Sequence, residues 1–463
     1  MTTSTADAAP AIRSSRRISV FPHSWGFWMA ATAFLLNMGF SAVPTPLYAI
    51  YSVRDGLNPV TITLIYAVYA VGVIVSLFLG GHVSDSIGRK AVFVPALLIN
   101  VASAAIFIAY PSLTGLLIAR VVSGISVGLT TATATAYLAE LHSTARPDAS
   151  SRRAQLTATA ANLGGIGIGP LIAGILAQYA PAPLVLPYLV FGIAIAVLAV
   201  LVALSPETTF RPHPAPRYRP QRVAVPRGSR RVFFAATGAG ISAFAVFGVF
   251  NSLAPTFLAN TMGETSHAVA GAVAFAAFAS GAVAQIAFGR WQTITMFHRS
   301  VSILVLGLAL MTAGMWLPNL WVFIAGGIIT GAGSGLAFRA ALVTASRTAP
   351  PQARAEVLAG FFLGAYIGLS VPVIALGIAT TLWPARYDML VFVILALAAL
   401  ALSIRGITGA TRDSGDTGGR TTGNRVTGGN RVTGGNRATG GTQATGSTRG
   451  TGSTRGTGRT PRS

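Results

Sequence analysis

Long apolar runs separated by short polar segments fill most of the chain. The runs are continuous rather than alternating in polarity, which favours helices over strands. Each has roughly 18 residues or more, enough to cross about 30 Å of hydrocarbon as a helix. Only helices or closed barrels satisfy their backbone hydrogen bonds in lipid. The pattern therefore predicts an all-α integral membrane protein. The predicted spans are 26–50, 61–82, 90–110, 113–138, 155–179, 183–204, 232–258, 266–289, 300–317, 320–344, 355–381 and 387–404.

A polar gap rich in proline and arginine divides these twelve transmembrane helices into two sets of six. Glycine spacing in the halves is related, since Gly124 and Gly128 recur as Gly331 and Gly335. Parallel six-helix repeats are a known way to build a transporter. We therefore expect two six-helix bundles (6+6) with a central cavity. The predicted domains are an N-terminal arm (1–24), a first bundle (25–205), a cytoplasmic linker (206–231), a second bundle (232–404) and a tail (405–463).

Composition supports lipid as the solvent, because 52% of residues are hydrophobic and only 10% are charged. Soluble proteins carry about a quarter charged residues. Cysteine is absent, which excludes disulfides, thiolate nucleophiles and cysteine metal sites.

The formal net charge of +22 follows the predicted topology. Nearly all cations outside the spans fall on the side of the N-terminal arm, and Arg54 and Arg386 are the exceptions. By the positive-inside rule both termini are cytoplasmic. Lys90 is the single lysine, a usage typical of GC-rich bacteria, so an inner (plasma) membrane is expected. The charge indicates anionic membrane lipids as partners, and no nucleic acid is expected.

The tail carries an imperfect six-residue repeat of Arg-x-Thr-Gly from residue 420 onward. It has almost no apolar residues to bury, so we expect disorder. A solvated or lipid-skimming tail is the simplest interpretation, and a partner contact is the alternative.

The loop between spans 2 and 3 reads Gly81-x3-Asp85-x2-Gly88-Arg89-Lys90. Gly81 permits close approach of a helix end, and Gly88 permits a tight turn. Asp85 lies where a carboxylate can meet a helix N-terminus or a buried arginine. These residues are candidates for a conformational latch.

This loop resembles the signature loop of the major facilitator superfamily, with Ser86 in place of a basic residue. The resemblance covers about residues 20–405. It implies that the five latch residues lock the two halves in the outward-open state, with part of the cationic network missing at Ser86.

A cation lies inside span 4, in the sequence Arg120-x3-Gly124-x3-Gly128. This pattern resembles the fourth-helix motif of the same family. An intramembrane charge is costly and is by default a functional hypothesis. The alternative is an arginine that snorkels to the interface.

Span 5 contains Gly165-x3-Gly169-Pro170-x3-Gly174, which resembles the motif of the antiporter branch, with Ala173 for one glycine. Small residues at four-residue spacing let helices pack backbone to backbone. Span 8 is also rich in small residues and is expected to face span 5 between the halves. The resemblance implies a proton-coupled multidrug or small-molecule exporter.

No acidic residue lies in mid-membrane, and Glu140 at the inner end of span 4 comes closest. Exporters of cationic drugs in the family often carry a carboxylate in the first or fourth helix. We therefore expect a neutral or anionic hydrophobic substrate. Polar mid-span side chains are candidates to line the cavity, although each is more often an interhelical hydrogen bond. They are Asn37, Tyr66, Asn251, Gln285 and Tyr366.

Enzymatic activity is not expected, because no metal-ligand cluster, catalytic cysteine or phosphate loop is present. No metal or other cofactor is predicted. The sequence favours a monomeric secondary transporter that exports its substrate by alternating access, with protons as the coupling ion. Two alternatives stay open, a facilitator or importer of a small molecule and a transport-inactive membrane receptor or scaffold.

Overall fold

The computed structural model describes residues 20–81, 83–209, 225–349 and 354–420, and these parts contain helices and no strands. The helices are α1 His23–Ala42, α2 Pro44–Asp55, α3 Pro59–Gly80, α4 Val83–Ile87, α5 Arg89–Ala109, α6 Leu113–Ala145, α7 Arg152–Thr159, α8 Gly165–Tyr179, α9 Leu186–Ala203, α10 Arg230–Ser252, α11 Ala254–Met262, α12 His267–Ala287, α13 Thr293–Trp316, α14 Leu320–Arg347, α15 Arg354–Ala379 and α16 Ala385–Arg420.

In the described part of the chain, twelve helical segments are long and apolar enough to cross a membrane, in agreement with the twelve predicted spans. Span 9 begins at Thr293 rather than at residue 300. Its first turns are amphipathic, because Met296 and Phe297 are buried whereas His298 and Arg299 are exposed. A prediction from mean hydropathy leaves such a segment out of the span, although one of its faces packs in the core.

Spans 1 and 7 are broken at corresponding places, although the sequence analysis treats each as one helix. The first break lies at Val43, between α1 and α2, and the second at Leu253, between α10 and α11. Pro44 directly follows the first break, and Pro255 is the second residue after the other. Proline has no backbone N–H and clashes with the preceding turn, so each break occurs where the chain cannot continue a regular helix.

Span 5 also departs from a regular helix. A π-helical segment, Ala160–Gly164, joins α7 to α8 and precedes the glycine motif directly. Single π-turns are uncommon and frequently lie at functional sites.

The internal repeat holds in the packing of the two halves. Gly124 of α6 packs on α3, and its counterpart Gly331 of α14 packs on α12. Gly169 of α8 packs on α1, and Gly368 of α15 packs on α10 in the same way. In each case a Cβ atom would overlap backbone of the neighbouring helix, so glycine is required for this helix separation. The halves are therefore structurally equivalent six-helix bundles.

Two helix ends differ from the ends of the predicted spans. Helix α10 begins at Arg230 rather than residue 232, and α16 continues to Arg420, well beyond the predicted end at residue 404. The repeats beyond Arg420, the arm before residue 20 and the middle of the linker lie outside the described residues.

The bundle has two ends that we name by their loops. The linker face carries the latch loop, 81–88, and the start of the linker, 205–209. The opposite face carries the turns at Gly56 and Gly263, both with left-handed backbone.

Candidate functional site

The latch residues form a network of charges at the linker face. Arg89 donates from Nη1 to Asp85 and to Ser84 Oγ, and from Nη2 to Glu140 Oε1 at 2.7 Å. The Arg89 side chain is only 10% exposed, whereas that of Asp85 is 65% exposed. Charge-assisted hydrogen bonds of this kind are stronger than neutral ones. Arg89 thus ties the loop to span 4 through Glu140, with Asp85 as the solvent-exposed partner.

The linker start joins the same network through Glu207. Its carboxylate accepts hydrogen bonds from the backbone N–H groups of Arg89, at 2.9 Å, and Lys90, at 3.2 Å. It therefore caps the N-terminus of α5, where negative charge is favourable. Gly88 has φ 113°, and a Cβ there would lie 2.7 Å from a carboxylate oxygen of Glu207. Gly88 is thus required both for its backbone conformation and for this approach.

Further bonds hold the linker start against the first bundle. Lys90 Nζ donates to the carbonyl oxygens of Ala203 and Ser205. Thr208 donates to Glu140, and Tyr137 donates to the carbonyl of Pro206.

All the latch partners named above belong to the first half or to the linker start. Glu140, Glu207 and Ser84 belong to this network but are absent from the latch predicted from the sequence. The only signal for Glu207 was its place in Pro206-Glu207-Thr208, directly after span 6. The close approach at Gly81 stays a prediction, and its neighbour Gly80 packs on the side chain of Leu129.

Arg120 is 1% exposed, and backbone carbonyls accept the hydrogen bonds of its guanidinium group. It donates to the carbonyl of Ser41 at 2.6 Å, to that of Ile65 at 3.3 Å and to that of Tyr66 at 3.2 Å. Its guanidinium also lies 5.5 and 4.6 Å from the ring centroids of Tyr66 and Tyr69. Ser41 lies at the break in span 1, so Arg120 joins that break to α3. The alternative of an arginine that snorkels to the membrane interface is wrong, because all of these partners of Arg120 lie inside the first half.

The other residues of the fourth-helix motif serve packing. A Cβ at Gly124 would overlap the carbonyl oxygen of Tyr69, and one at Gly128 would overlap Ser76 and the backbone of Val73. Both glycines thus let α6 lie directly against α3, which brings Arg120 to the carbonyls that it contacts.

The glycine motif of span 5 faces two helices. Gly165 and Gly169 lie against α1, where a Cβ would overlap the carbonyls of Leu35 and Gly39. This contact lies within the first half.

One turn further along, the same motif meets the second half. Gly271 of α12 packs on the carbonyl of Pro170, and Gly174 packs on the carbonyl of His267. Gln178 accepts a hydrogen bond from the N–H of His267 at 2.9 Å. The prediction that span 8 faces span 5 across the interface is confirmed.

Other contacts between the halves lie on spans 1, 2, 7 and 11. Thr45 of α2 donates to Asn251 Oδ1 of α10 at 2.7 Å. Gly377 of α15 packs on the side chain of Thr63 in α3. Near the middle of the bundle, the rings of Tyr69 and Tyr366 meet at 6.5 Å.

These pairs run from the opposite face to the centre of the bundle. They therefore close the structure at the opposite face.

The predicted cavity residues occupy different environments. Asn37 is fully buried inside the first half, where it donates to Ser126 and Thr130 and accepts from Asn100. Gln285 is 5% exposed, and its side-chain nitrogen has no hydrogen-bond partner within the described residues.

Asn251 and Tyr366 lie at the contact between the halves, and Tyr66 lies next to Arg120. The structure thus brings Asn251, Tyr66 and Tyr366 towards one region and keeps Asn37 apart.

A cavity of about 440 Å³ opens at the opposite face. Pro59 of the first half lines it together with Phe257, Trp316, Trp383 and Arg386 of the second half. None of the five predicted cavity residues lines it.

Comparison with known proteins gives the following matches. The sequence profile described as the Major Facilitator Superfamily matches residues 29–317. A crystal structure of a variant of the nucleoside transporter NupG is similar to this chain, with a TM-score of 0.64 and 12% sequence identity. The match covers 83% of this chain and 99% of that one, and at this identity it shows the fold alone. Comparison with proteins of curated function finds no significant match.

Proposed function

Because the chain belongs to the major facilitator superfamily, we propose that it exports small hydrophobic compounds, neutral or anionic, in exchange for protons. Membership makes the chain a multi-pass membrane transporter of small molecules. The direction of transport, the coupling ion and the substrate class are parts of the proposal.

The observation that carries the proposal is the contact between α8 and α12. There Gly174 and Gly271 place two helices backbone to backbone across the interface of the halves. Small residues bring the two helix backbones into direct contact, so the halves meet here without interlocking side chains. The span-5 motif thus forms a closure that can open, as alternating access requires.

The substrate region is best placed between the two broken helices. Interrupted helices at corresponding positions of two repeats are a mark of transporter binding sites. Thr45 and Asn251 bond to each other close to the two breaks, and Tyr66 and Tyr366 present aromatic groups nearby.

These four side chains include no carboxylate, and the deeply buried charge beside them is the cation Arg120. A planar, apolar compound that is neutral or anionic fits such a site better than a permanent cation does.

Glu140 is the proposed proton carrier. It lies at the linker-face end of span 4 and accepts hydrogen bonds from Arg89 and Thr208. Its side chain is 33% exposed, so it is open to water at the linker face. The hydrogen bonds from Arg89 and Thr208 stabilise the charged carboxylate, so Glu140 takes up a proton only after Arg89 has moved away. Protonation would then keep Arg89 from binding again to span 4 and would hold the latch open.

The test is efflux from energised cells across a panel of neutral, anionic and cationic hydrophobic compounds, with and without a protonophore. We expect efflux of neutral or anionic compounds that collapses with the protonophore. Glu140→Gln is expected to abolish the proton dependence, because glutamine retains the size but cannot bind and release a proton. Asp148→Asn is the matched control, since Asp148 is an exposed acid in the next loop.

Three results would change the proposal. Flux that ignores the protonophore would favour a facilitator, and accumulation inside the cells would favour an importer. Absence of flux for every compound, from a folded protein in the membrane, would favour a receptor or scaffold.

We further propose that the linker face is cytoplasmic and that the protein resides in the plasma membrane, because the arginines outside the spans concentrate at that face.

A further inference from the structure

Two tryptophans stand exposed at the linker-face end of span 1. Trp25 is 63% exposed and Trp28 is 53% exposed. They are three residues apart on α1, so they lie on the same side of the helix. Tryptophan rings at the ends of membrane spans lie at the level of the lipid head groups. This edge of the first half is therefore in contact with the membrane interface.

An arginine from another span stacks on this edge. The guanidinium carbon of Arg153, in the first turn of α7, lies 5.4 Å from the centroid of the Trp28 ring. Arg152 precedes it, and both arginines are exposed. In the part of the chain that the structure describes, neither forms an ion pair with a carboxylate. Asp148, the nearest acid along the chain, is itself exposed in the loop before α7.

We propose that Trp25, Trp28, Arg152 and Arg153 form a binding site for one anionic phospholipid in the leaflet on the linker face. The phosphate group would bind the two guanidinium groups, and the glycerol and upper acyl chains would pack along the two indole rings.

The chemistry of Arg153 selects this ligand. Contact with a ring face uses no N–H group of the guanidinium, and these groups match phosphate oxygens in a two-pronged geometry. Stacking on Trp28 also holds the cation at the depth of the head groups.

Net charge then separates lipid classes. A zwitterionic lipid carries its own ammonium group, which two adjacent arginines repel, so a head group of net negative charge is favoured. Each basic residue near an anionic membrane surface contributes about 1 kcal/mol, or about fivefold in local lipid concentration.

Fluorescence quenching by brominated lipids tests the site directly. The chain contains six tryptophans, and a version that retains Trp25 and Trp28 reports only on this edge. The positions replaced by phenylalanine are Trp291, Trp316, Trp321 and Trp383. Nanodiscs contain phosphatidylcholine with about 20% phosphatidylglycerol, and bromine is placed either on the phosphatidylglycerol or on an equal amount of phosphatidylcholine.

With about fivefold from each of the two arginines, we expect a preference of about 25-fold for brominated phosphatidylglycerol over brominated phosphatidylcholine at the two tryptophans. Arg153→Gln should lower this preference about fivefold, and about 0.5 M salt should reduce it. Arg299→Gln should leave it unchanged, because Arg299 is another exposed arginine near the start of a span. Equal quenching by the two lipids, or a preference that Arg153→Gln does not change, would overturn the proposal.

Native mass spectrometry of the unaltered chain gives a second measurement that needs no tryptophan replacement. The dissociation constant of the first phosphatidylglycerol molecule should rise about fivefold in Arg153→Gln and stay unchanged in Arg299→Gln. No difference between these two variants would also contradict the site.

Discussion

Closure of the opposite face depends on the absence of a single methyl group at Gly271. A Cβ there would overlap the carbonyl oxygen of Pro170, which belongs to the other half. Gly271→Ala therefore forces α12 away from α8, because backbone atoms within two regular helices cannot move aside. The penalty applies only to the state in which the two helices touch. The substitution should shift the population towards a state that is open at this face.

Overpacking of a close contact costs about 1–3 kcal/mol. A cost of about 2 kcal/mol multiplies the ratio of open to closed molecules by about 30, since 1.4 kcal/mol corresponds to a factor of ten. Gly174→Ala should act in the same direction, because its Cβ would overlap the carbonyl of His267 across the same interface.

The chain is free of cysteine, which allows a single reporter to be introduced without background. Thr63 is fully buried, and Gly377 of the second half packs on it. In Thr63→Cys, the rate of labelling by a membrane-impermeant maleimide in nanodiscs measures how often the opposite face opens. We expect this rate to rise by up to about 30-fold when Gly271→Ala is added.

The matched control is Gly164→Ala, which lies in the same span as Gly174 but has open space where the Cβ would be. It should leave the labelling rate within about twofold of the parent. If Gly271→Ala folds, elutes as the parent does and labels at the parent rate, the glycine contact does not control closure and the reasoning is refuted.

Three further predictions concern the polar contacts. Arg89→Gln should lower the melting temperature by several degrees, because it leaves Glu140 without its cation. The double variant with Glu140→Gln should lose less stability than the sum of the two single changes, and additive losses would contradict a coupled pair. Thr45→Val removes the hydrogen-bond donor to Asn251 and leaves a buried acceptor unpaired, which costs about 1–3 kcal/mol. The rate of labelling of the cysteine reporter should therefore rise several-fold. An unchanged rate would show that this hydrogen bond has no role in closure. Arg120→Leu should lower the melting temperature of the protein. Arg120→Lys should not restore the parent value, because an ammonium group cannot reach three carbonyls and two rings. Full stability of the lysine variant would show that charge alone matters.

Hydropathy was sufficient to predict the twelve spans, because a helix in lipid must be apolar along its length. The glycine motifs were predictable for a related reason. A glycine inside a span weakens the helix unless another helix needs the space, and the structure shows such a neighbour at Gly124, Gly169 and Gly271. The start of α13 was missed because only one of its faces is buried.

The partners of the latch could not be predicted from local sequence. Arg89 meets Glu140 at a separation of 51 residues and Glu207 at 118 residues. Several acids near the ends of the spans were equally plausible partners before the helices were assembled. The partners of Arg120 carry no sequence signal, since they are backbone carbonyls, which every residue has.

The two faces of the protein are held by different kinds of contact, and this difference bears on how it can change state. At the opposite face, the halves meet through glycines, rings and neutral hydrogen bonds such as those from Thr45 to Asn251 and from His267 to Gln178. At the linker face, Arg89 has both of its acidic partners within the first half. Separation of the halves at the linker face thus leaves Arg89 paired with Asp85 and Glu140, whereas breaking a buried ion pair would cost several kcal/mol. The ion pairs of Arg89 therefore add no such barrier, and opening of the opposite face requires the glycine contacts there to separate.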